Sequence, residues 1–444
     1  MRVSAGKVGG KGIPDKDRGD VHPAVLPHAP GAATNGDMSS TNRILLGLIL
    51  GLVAGALLLL FGSTGAPSFA AVIEPIGSVW LSALKMTIIP LVLALLVTGI
   101  ASAADAASSG GLTARSLAWF TAFVLIGVVF AVGATEAILW VWPVDPGVAA
   151  TLTAGANAAA VPAIPSTMDT LTGIVPSNIF AALSAGDMLP IVLFGMVLGF
   201  AVTRIGAEPR ERLLGLFRAV SDAMFVIIGW VLWLAPLGVF ALAFSVGYRT
   251  GFGAVAAIAQ YVIIVSAVLI LQMLLISYPA VAIWGKVGLV RFTKAALPAQ
   301  AVALGTQSSL ATLPAMLDAA AVMGTTDRVR SLVLPLAVAL FRSTSASANL
   351  VVVLFVAHLS GVELGWGQLV LGMAIAAVGS IAVVGVASAS TFFVVTVPIS
   401  LAMGVPVGVL PLLLAVEILP DLWRTVGNVT SDLAVAVIAD AQEA

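Results

Sequence analysis

The sequence predicts an all-α polytopic membrane protein with eight transmembrane helices plus two re-entrant helical hairpins. Three observations carry this. Of 444 residues, 60% are hydrophobic and 9% charged, with a mean hydropathy of +1.12, whereas a soluble chain carries roughly 25% charged residues. Apolar runs of about 18 residues or more, long enough to cross a bilayer as a helix, recur along nearly the whole chain. Two further apolar stretches are interrupted by small polar residues and are too short on either side to span separately. A net charge of −1 gives no footprint for nucleic acid. The absence of cysteine removes disulfides and thiolate chemistry. The histidines His22, His28 and His358 are too scattered for a metal cluster. An enzyme is not expected, because Ser309 has no evident base.

Residues 1–42 are rich in Gly, Pro, Asp and Lys and read as a disordered cytoplasmic tail, with no apolar run of a cleaved signal peptide. Helices are expected at 44–61, 71–103 (carrying Lys85 and Pro90) and 116–142. Residues 143–188 are small and Pro-containing and suggest a broken segment. Apolar sequence resumes at 188–202, and long helical stretches follow at 213–247 and 253–285.

From residue 289 the pattern changes. The stretch 289–321 is interrupted by Gly305-Thr-Gln-Ser308-Ser309-Leu-Ala-Thr312-Leu-Pro314, which suits two helices of about ten to fourteen residues with a small polar tip. A helix at 330–357 is broken by Arg342-Ser-Thr-Ser-Ala-Ser-Ala-Asn349. The stretch 367–401 is interrupted at Gly385-Val-Ala-Ser388-Ala-Ser390. Paired interrupted segments point to a transporter site at the bilayer midplane. Arg115, Arg204, Arg210, Arg212, Lys286, Arg291, Lys294, Arg328 and Arg330 fall on one side of this layout, and only Arg249 on the other. Basic loops are cytoplasmic, so both termini are expected inside, with the hairpins entering from opposite faces.

The C-terminal segment holds the densest chemistry. With about 100° per residue and Asp421 at zero, Glu417, Arg424, Thr425, Asn428 and Asp432 all fall within about 60° of it. Charges in a membrane helix cost on the order of 2.5–3.5 kcal/mol each unless they face a partner or a wet cavity, so this stripe reads as a functional site.

These segments resemble the dicarboxylate/amino acid:cation symporter family, which includes the excitatory glutamate transporters and archaeal aspartate transporters. The likeness covers about residues 44–440. It rests on Lys85-Met-Thr-Ile-Ile-Pro90, Val175-Pro-Ser-Asn-Ile-Phe-Ala-Ala-Leu with Asp187-Met-Leu-Pro-Ile-Val-Leu-Phe, Ala235-Pro-Leu-Gly-Val-Phe-Ala, Ser308-Ser309-Leu-Ala-Thr312-Leu-Pro314 and Asp421-Leu-Trp-Arg424-Thr425-Val-Gly-Asn428-Val-Thr430-Ser-Asp432. The resemblance implies that Asp421 holds a substrate α-amino group and Arg424 its side-chain carboxylate, matching an ammonium to a carboxylate and a guanidinium fork to a carboxylate. It implies that Thr425 and Asn428 bind the polar ends and that Ser309 holds the α-carboxylate. Ser308, Ser345 and Ala387 complete the expected substrate set. Gln307 stands where some archaeal members carry arginine. Asp421 argues for an amino acid, because carriers of C4-dicarboxylates tend to lack that acid. Arg424 argues against a small neutral substrate.

The sequence also departs from the family pattern. Phe341-Arg342-Ser343-Thr344-Ser345 stands where the seventh helix carries Asn-Met-Asp-Gly-Thr, and Val124, Gly127 and Val128 replace Tyr, Thr and Ser of a sodium site on the third helix. Sodium wants oxygen ligands, so that site reads as dismantled. Asp432 is the remaining candidate for sodium. Arg342 is expected to act as a tethered cation, with Asp432, Asn428 and Arg342 as the ion-coupling set. The second tip is less glycine-rich than usual and so stiffer.

The expected protein is a secondary active symporter for acidic amino acids such as aspartate or glutamate, working by elevator-type alternating access with reduced or replaced sodium coupling. It needs no cofactor beyond Na+ or H+ as coupling ion. Asp421, Asp432 and Glu417 are candidate proton carriers, since a carboxyl in a dry site sheds its charging cost by taking up a proton. Scaffold helices are expected at 43–112 and 143–250, transport-domain helix 3 at 113–142, and the rest of the transport domain at 251–440. A homotrimer in the bacterial inner membrane follows from the resemblance. The alternatives are a proton-coupled or uncoupled dicarboxylate carrier and a non-transporting sensor on the same fold.

Overall fold

Three glycines spaced four apart let one pair of helices touch backbone to backbone. The computed structural model describes residues 40–61, 66–108, 110–145, 176–251, 253–382 and 388–443. The expected tail through residue 39, residues 146–175 of the broken segment, and Ala387 lie outside the described residues. All regular structure among those described is helical.

Helix α1 (Ser40–Phe61) begins two residues before the expected end of the tail. Its Gly47, Gly51 and Gly55 face α7 (Ala235–Thr250). A Cβ at each would fall 2.5, 2.4 and 2.2 Å from the carbonyl oxygens of Pro236, Phe240 and Phe244. Small residues at this spacing let two backbones touch where lipid provides no hydrophobic drive. Helix α2 (Ala66–Ser108) is longer than the expected 71–103 and contains Pro75 and Pro90. It packs on α5 (Met188–Val202), α6 (Ala207–Trp233) and α7. Trp80 on α2 donates its indole N–H to Val231 O at 2.8 Å.

The expected continuous stretch 213–247 is two helices, α6 and α7, separated at Leu234. Pro236 causes the break: it has no N–H to donate, and its ring clashes with the carbonyl four residues back. Helix α3 (Gly111–Val141) packs on the C-terminal half of the chain, and α4 (Ile179–Ala185) is capped by the Asn178 side chain. Helix α8 (Gly253–Gln272) continues through one π turn (Met273–Ser277) into α9 (Tyr278–Ile283).

Helices α10 (Leu289–Thr306) and α11 (Ser309–Met323) form a hairpin, the first 18 residues long rather than about ten to fourteen. Arg291 near its open end donates to Val322 O at 3.2 Å, so the pair is antiparallel. The turn is Gln307, in the left-handed region at φ 51, and Ser308, whose hydroxyl caps α11 by accepting from Ala311 N. Helices α12 (Asp327–Leu340) and α13 (Ser343–Leu359) are separated only at Phe341 and Arg342, not along the whole serine-rich run to Asn349. Those serines sit inside a helix because it is buried on every side and gives them partners: Ser347 donates to Ser343 O at 3.2 Å.

Helices α14 (Trp366–Ala382) and α15 (Ser388–Met403) pack antiparallel, Gly372 facing Met403 and Gly379 facing Val395. Helices α16 (Leu410–Val416) and α17 (Ile418–Ala441) meet at Glu417. Arg115 and Arg328 both pair with Glu443, which brings the starts of α3 and α12 to the end of α17. Six segments are long and apolar enough to cross a membrane: 42–61, 71–108, 111–141, 207–233, 254–283 and 327–359. The chain is a multi-pass membrane protein.

Candidate functional site

The stripe on α17 is buried. Glu417, Asp421, Arg424, Thr425, Asn428 and Asp432 are each at most 6% exposed. Helical geometry puts them on one side, and α8, α10, α11, α12 and α13 close over it. At one end, the Arg424 guanidinium lies 3.3 Å from Asp421 Oδ1 and donates to Glu417. The Tyr261 hydroxyl, reaching in from α8, donates to the other oxygen of Glu417. The Tyr261 ring is fully buried against Phe355 of α13, their centroids 5.5 Å apart. Desolvated charges survive only when paired and hydrogen-bonded, and this cluster meets both conditions.

Asn428, in mid-stripe, fastens α17 to the start of α13. Its Oδ1 accepts from Thr344 N at 3.1 Å and Thr344 Oγ1 at 2.7 Å, and its Nδ2 donates to Ser345 Oγ at 2.9 Å. Thr425 donates to Asp421 O at 3.0 Å. From the hairpin turn, Gln307 Nε2 reaches Ile418 O at 3.3 Å. Ser309 is 6% exposed, and its hydroxyl has no protein partner among the described residues. Ser308 is spent on capping α11.

At the other end, Asp432 is completely buried, and neither carboxylate oxygen has a hydrogen-bond partner among the described residues. Arg342, at the α12–α13 break, is half-buried and its Nε lacks a partner. Asp432 is the acid whose charge acts most strongly on Arg342, followed by Asp421. The two form no direct ion pair.

Aromatic and aliphatic side chains fill part of the space between α3 and α13. Phe341 stacks on Phe120 with centroids 4.6 Å apart and meets Phe123 edge-on at 6.2 Å. Val124 and Val128 are buried beside it. Among the described residues, no group of three or more His, Cys, Asp or Glu side chains could hold a metal.

The structure therefore brings Asp421, Arg424, Thr425, Asn428 and Asp432 onto one buried stripe, with Ser345 of α13 bonded to Asn428 and with Ser308 and Ser309 at the adjacent hairpin turn. Sequence reasoning missed Tyr261, Thr344 and Gln272. Tyr261 had a faint signal, being one of three tyrosines and set in an apolar helix. Thr344 and Gln272 had none: Thr344 meets Asn428 of α17, and Gln272 lies beside Gly127 of α3.

A buried charged stripe among membrane-length helices, flanked by an antiparallel hairpin, defines a polytopic transporter. Comparison with known sequences gives the family. The profile of the sodium:dicarboxylate symporter family matches residues 41–442, and the chain belongs to that family. It is a transporter, not an enzyme. The proton/sodium-glutamate symport protein of Bacillus caldotenax is 28% identical over 404 residues, 89% of this chain and 92% of the relative. The proton/glutamate-aspartate symporter of Escherichia coli K12 is 28% identical over 408 residues, 89% and 91% of the two chains. The C4-dicarboxylate transport protein of Rhizobium leguminosarum is 26% identical over 417 residues, 92% and 90%.

Proposed function

We propose that this chain is a symporter for acidic amino acids such as aspartate or glutamate, in which Arg342 stands in for a coupling sodium ion. The observation that carries the substrate class is the pair Asp421 and Arg424, one turn apart on α17 and both buried. Asp421 suits an ammonium, and Arg424 suits a carboxylate. The hydroxyl of Ser309 suits the α-carboxylate, and in this reading Thr425, Asn428, Ser308, Ser345 and Ala387 complete the substrate set. Relatives named for glutamate, for glutamate and aspartate, and for C4-dicarboxylates support the same class.

The coupling proposal rests on Asp432 and Arg342. A buried carboxylate needs a counter-charge, and a guanidinium that cannot dissociate supplies one without an ion. In this reading α1, α2 and α4–α7 form a scaffold. Helix α3 and α8 onward form a unit that carries the site across the membrane, elevator-fashion. The hairpins α10–α11 and α14–α15 are its re-entrant gates. The assembly is a homotrimer in the bacterial inner membrane with both termini cytoplasmic.

The test is uptake of labelled L-aspartate, L-glutamate and succinate into proteoliposomes under imposed sodium or proton gradients. Uptake of the amino acids that ignores sodium supports the reading, and strict sodium dependence overturns the role of Arg342. The C4-dicarboxylate reading is separated by Asp421→Asn, which should abolish amino-acid uptake and spare succinate uptake.

A further inference from the structure

The proposed substrate site places its own acid on the group meant for the substrate. Arg424 is not an open guanidinium waiting for a carboxylate. It donates to Glu417, seven residues back, while Asp421 lies 3.3 Å from its other terminal nitrogen. Its Nε has no partner among the described residues, but an entering carboxylate that grips both terminal nitrogens must displace one of these, and Asp421 is needed for the ammonium. Glu417 is the group that can give way, because its other oxygen already has a second partner, the Tyr261 hydroxyl.

A phenol hydroxyl can donate to a carboxylate and can equally accept from a carboxylic acid. Tyr261 can therefore hold Glu417 in both protonation states. The guanidinium, which only donates, favours the ionised state. Among the described residues, Arg424, Tyr261 and Asp421 are the charged or titratable groups that act on Glu417. Beside it, α16 presents only the apolar run Leu410–Val416, the turn presents the neutral Gln307, and α13 presents Phe355. Arg342 feels the charges of Asp432, Asp421 and Arg424 and is not among the groups that act on Glu417.

We propose that Glu417 is a tethered counter-carboxylate that occupies Arg424 in the empty carrier and yields it to the substrate's carboxylate by taking up one proton, which Tyr261 then holds in place. The step balances. Glu417 gains a proton from water on the open side and becomes neutral. The substrate carboxylate takes over its hydrogen bonds from the guanidinium, and the net charge around Arg424 is unchanged. On the far side the substrate leaves, Glu417 releases the proton there and returns to Arg424. One proton thus moves with each acid, and the empty carrier never moves a bare guanidinium through the membrane. This rests on the acidic-substrate reading above.

The experiment is titration calorimetry of L-aspartate, L-glutamate and succinate into the purified full chain, in sodium-free buffers of different ionisation heat across a range of pH. The wild type is expected to take up about one proton per acid bound, with affinity falling up to about tenfold per unit rise in pH. Glu417→Gln is expected to bind with altered affinity and to take up no proton. Tyr261→Phe keeps the packing on Phe355 and is expected to shift the pH profile of binding. Proton uptake that persists in Glu417→Gln, or wild-type binding without proton uptake, overturns this proposal and leaves the substrate reading standing. No binding of any of the three acids by the wild type overturns both. If Glu417→Gln does not fold, Tyr261→Phe decides: an unshifted pH profile overturns the proposal, and a shifted one supports it.

Discussion

Gly127 on α3 and Gln272 at the end of α8 share one space. A Cβ at Gly127 would lie 2.4 Å from Gln272 Nε2 and 3.1 Å from Ser347 Oγ. The absence of a side chain on α3 thus admits a carboxamide from α8 into the region where the family pattern has oxygen ligands. Gln272 is 2% exposed, and its Oε1 has no partner among the described residues. The expected outcome for Gly127→Ala is a modest loss, about 1 kcal/mol, because the displaced atom is the end of a flexible side chain. Thermal denaturation in detergent followed by size exclusion checks it.

Gly55→Ala should cost more. Its Cβ would meet Phe244 O at 2.2 Å and Tyr248 N at 2.6 Å, and these are backbone atoms of α7 that cannot rotate aside. The helices must separate along their length, costing about 2–3 kcal/mol. The same denaturation assay should rank it well below Gly127→Ala, and equal melting temperatures would refute the close contact.

The legible part of this protein was whatever is periodic. Apolar runs located the helices, and a rotation of about 100° per residue put Glu417, Asp421, Arg424, Asn428 and Asp432 on one side of a helix that is continuous from Ile418 to Ala441. Boundaries were less legible. Pro236 splits a stretch that hydropathy alone joins, and the serine-rich run from Arg342 to Asn349 reads as a break in the helix although burial makes all but its first residue helical. Partners were not legible. That Tyr261 meets Glu417 across 156 positions, or that Thr344 meets Asn428 across 84, depends on how helices pack, which local pattern does not encode.

Asn428→Ala should loosen the joint between α17 and α13. It removes one acceptor serving Thr344 N and Oγ1 and one donor to Ser345, and it leaves the buried Thr344 N–H unsatisfied. An unsatisfied buried donor costs about 1–3 kcal/mol. Asn428→Asp keeps the acceptor and loses the donor, so it should retain part of the stability while adding a buried charge. Hydrogen exchange of the amides at the start of α13 reads this directly: faster exchange at Thr344 in Asn428→Ala is the expected result.

Arg342→Met separates a tethered cation from a decorative one. Asp432 has no hydrogen-bond partner among the described residues, and the Arg342 guanidinium is the opposite charge that acts on it. Breaking a direct buried pair costs about 3–5 kcal/mol, but Arg342 is half-buried and not in contact with Asp432, so about 1–2 kcal/mol is expected in sodium-free buffer. A ligand that binds only the folded state raises stability by RT ln(1 + [L]/Kd). If Arg342 fills the role of an ion, adding sodium should raise the melting temperature of Arg342→Met and leave that of the wild type where it was, with potassium at equal ionic strength as the control. A wild type stabilised by sodium as strongly as the variant would mean that Asp432 binds the ion with Arg342 present, and the substitution would then be neutral to coupling.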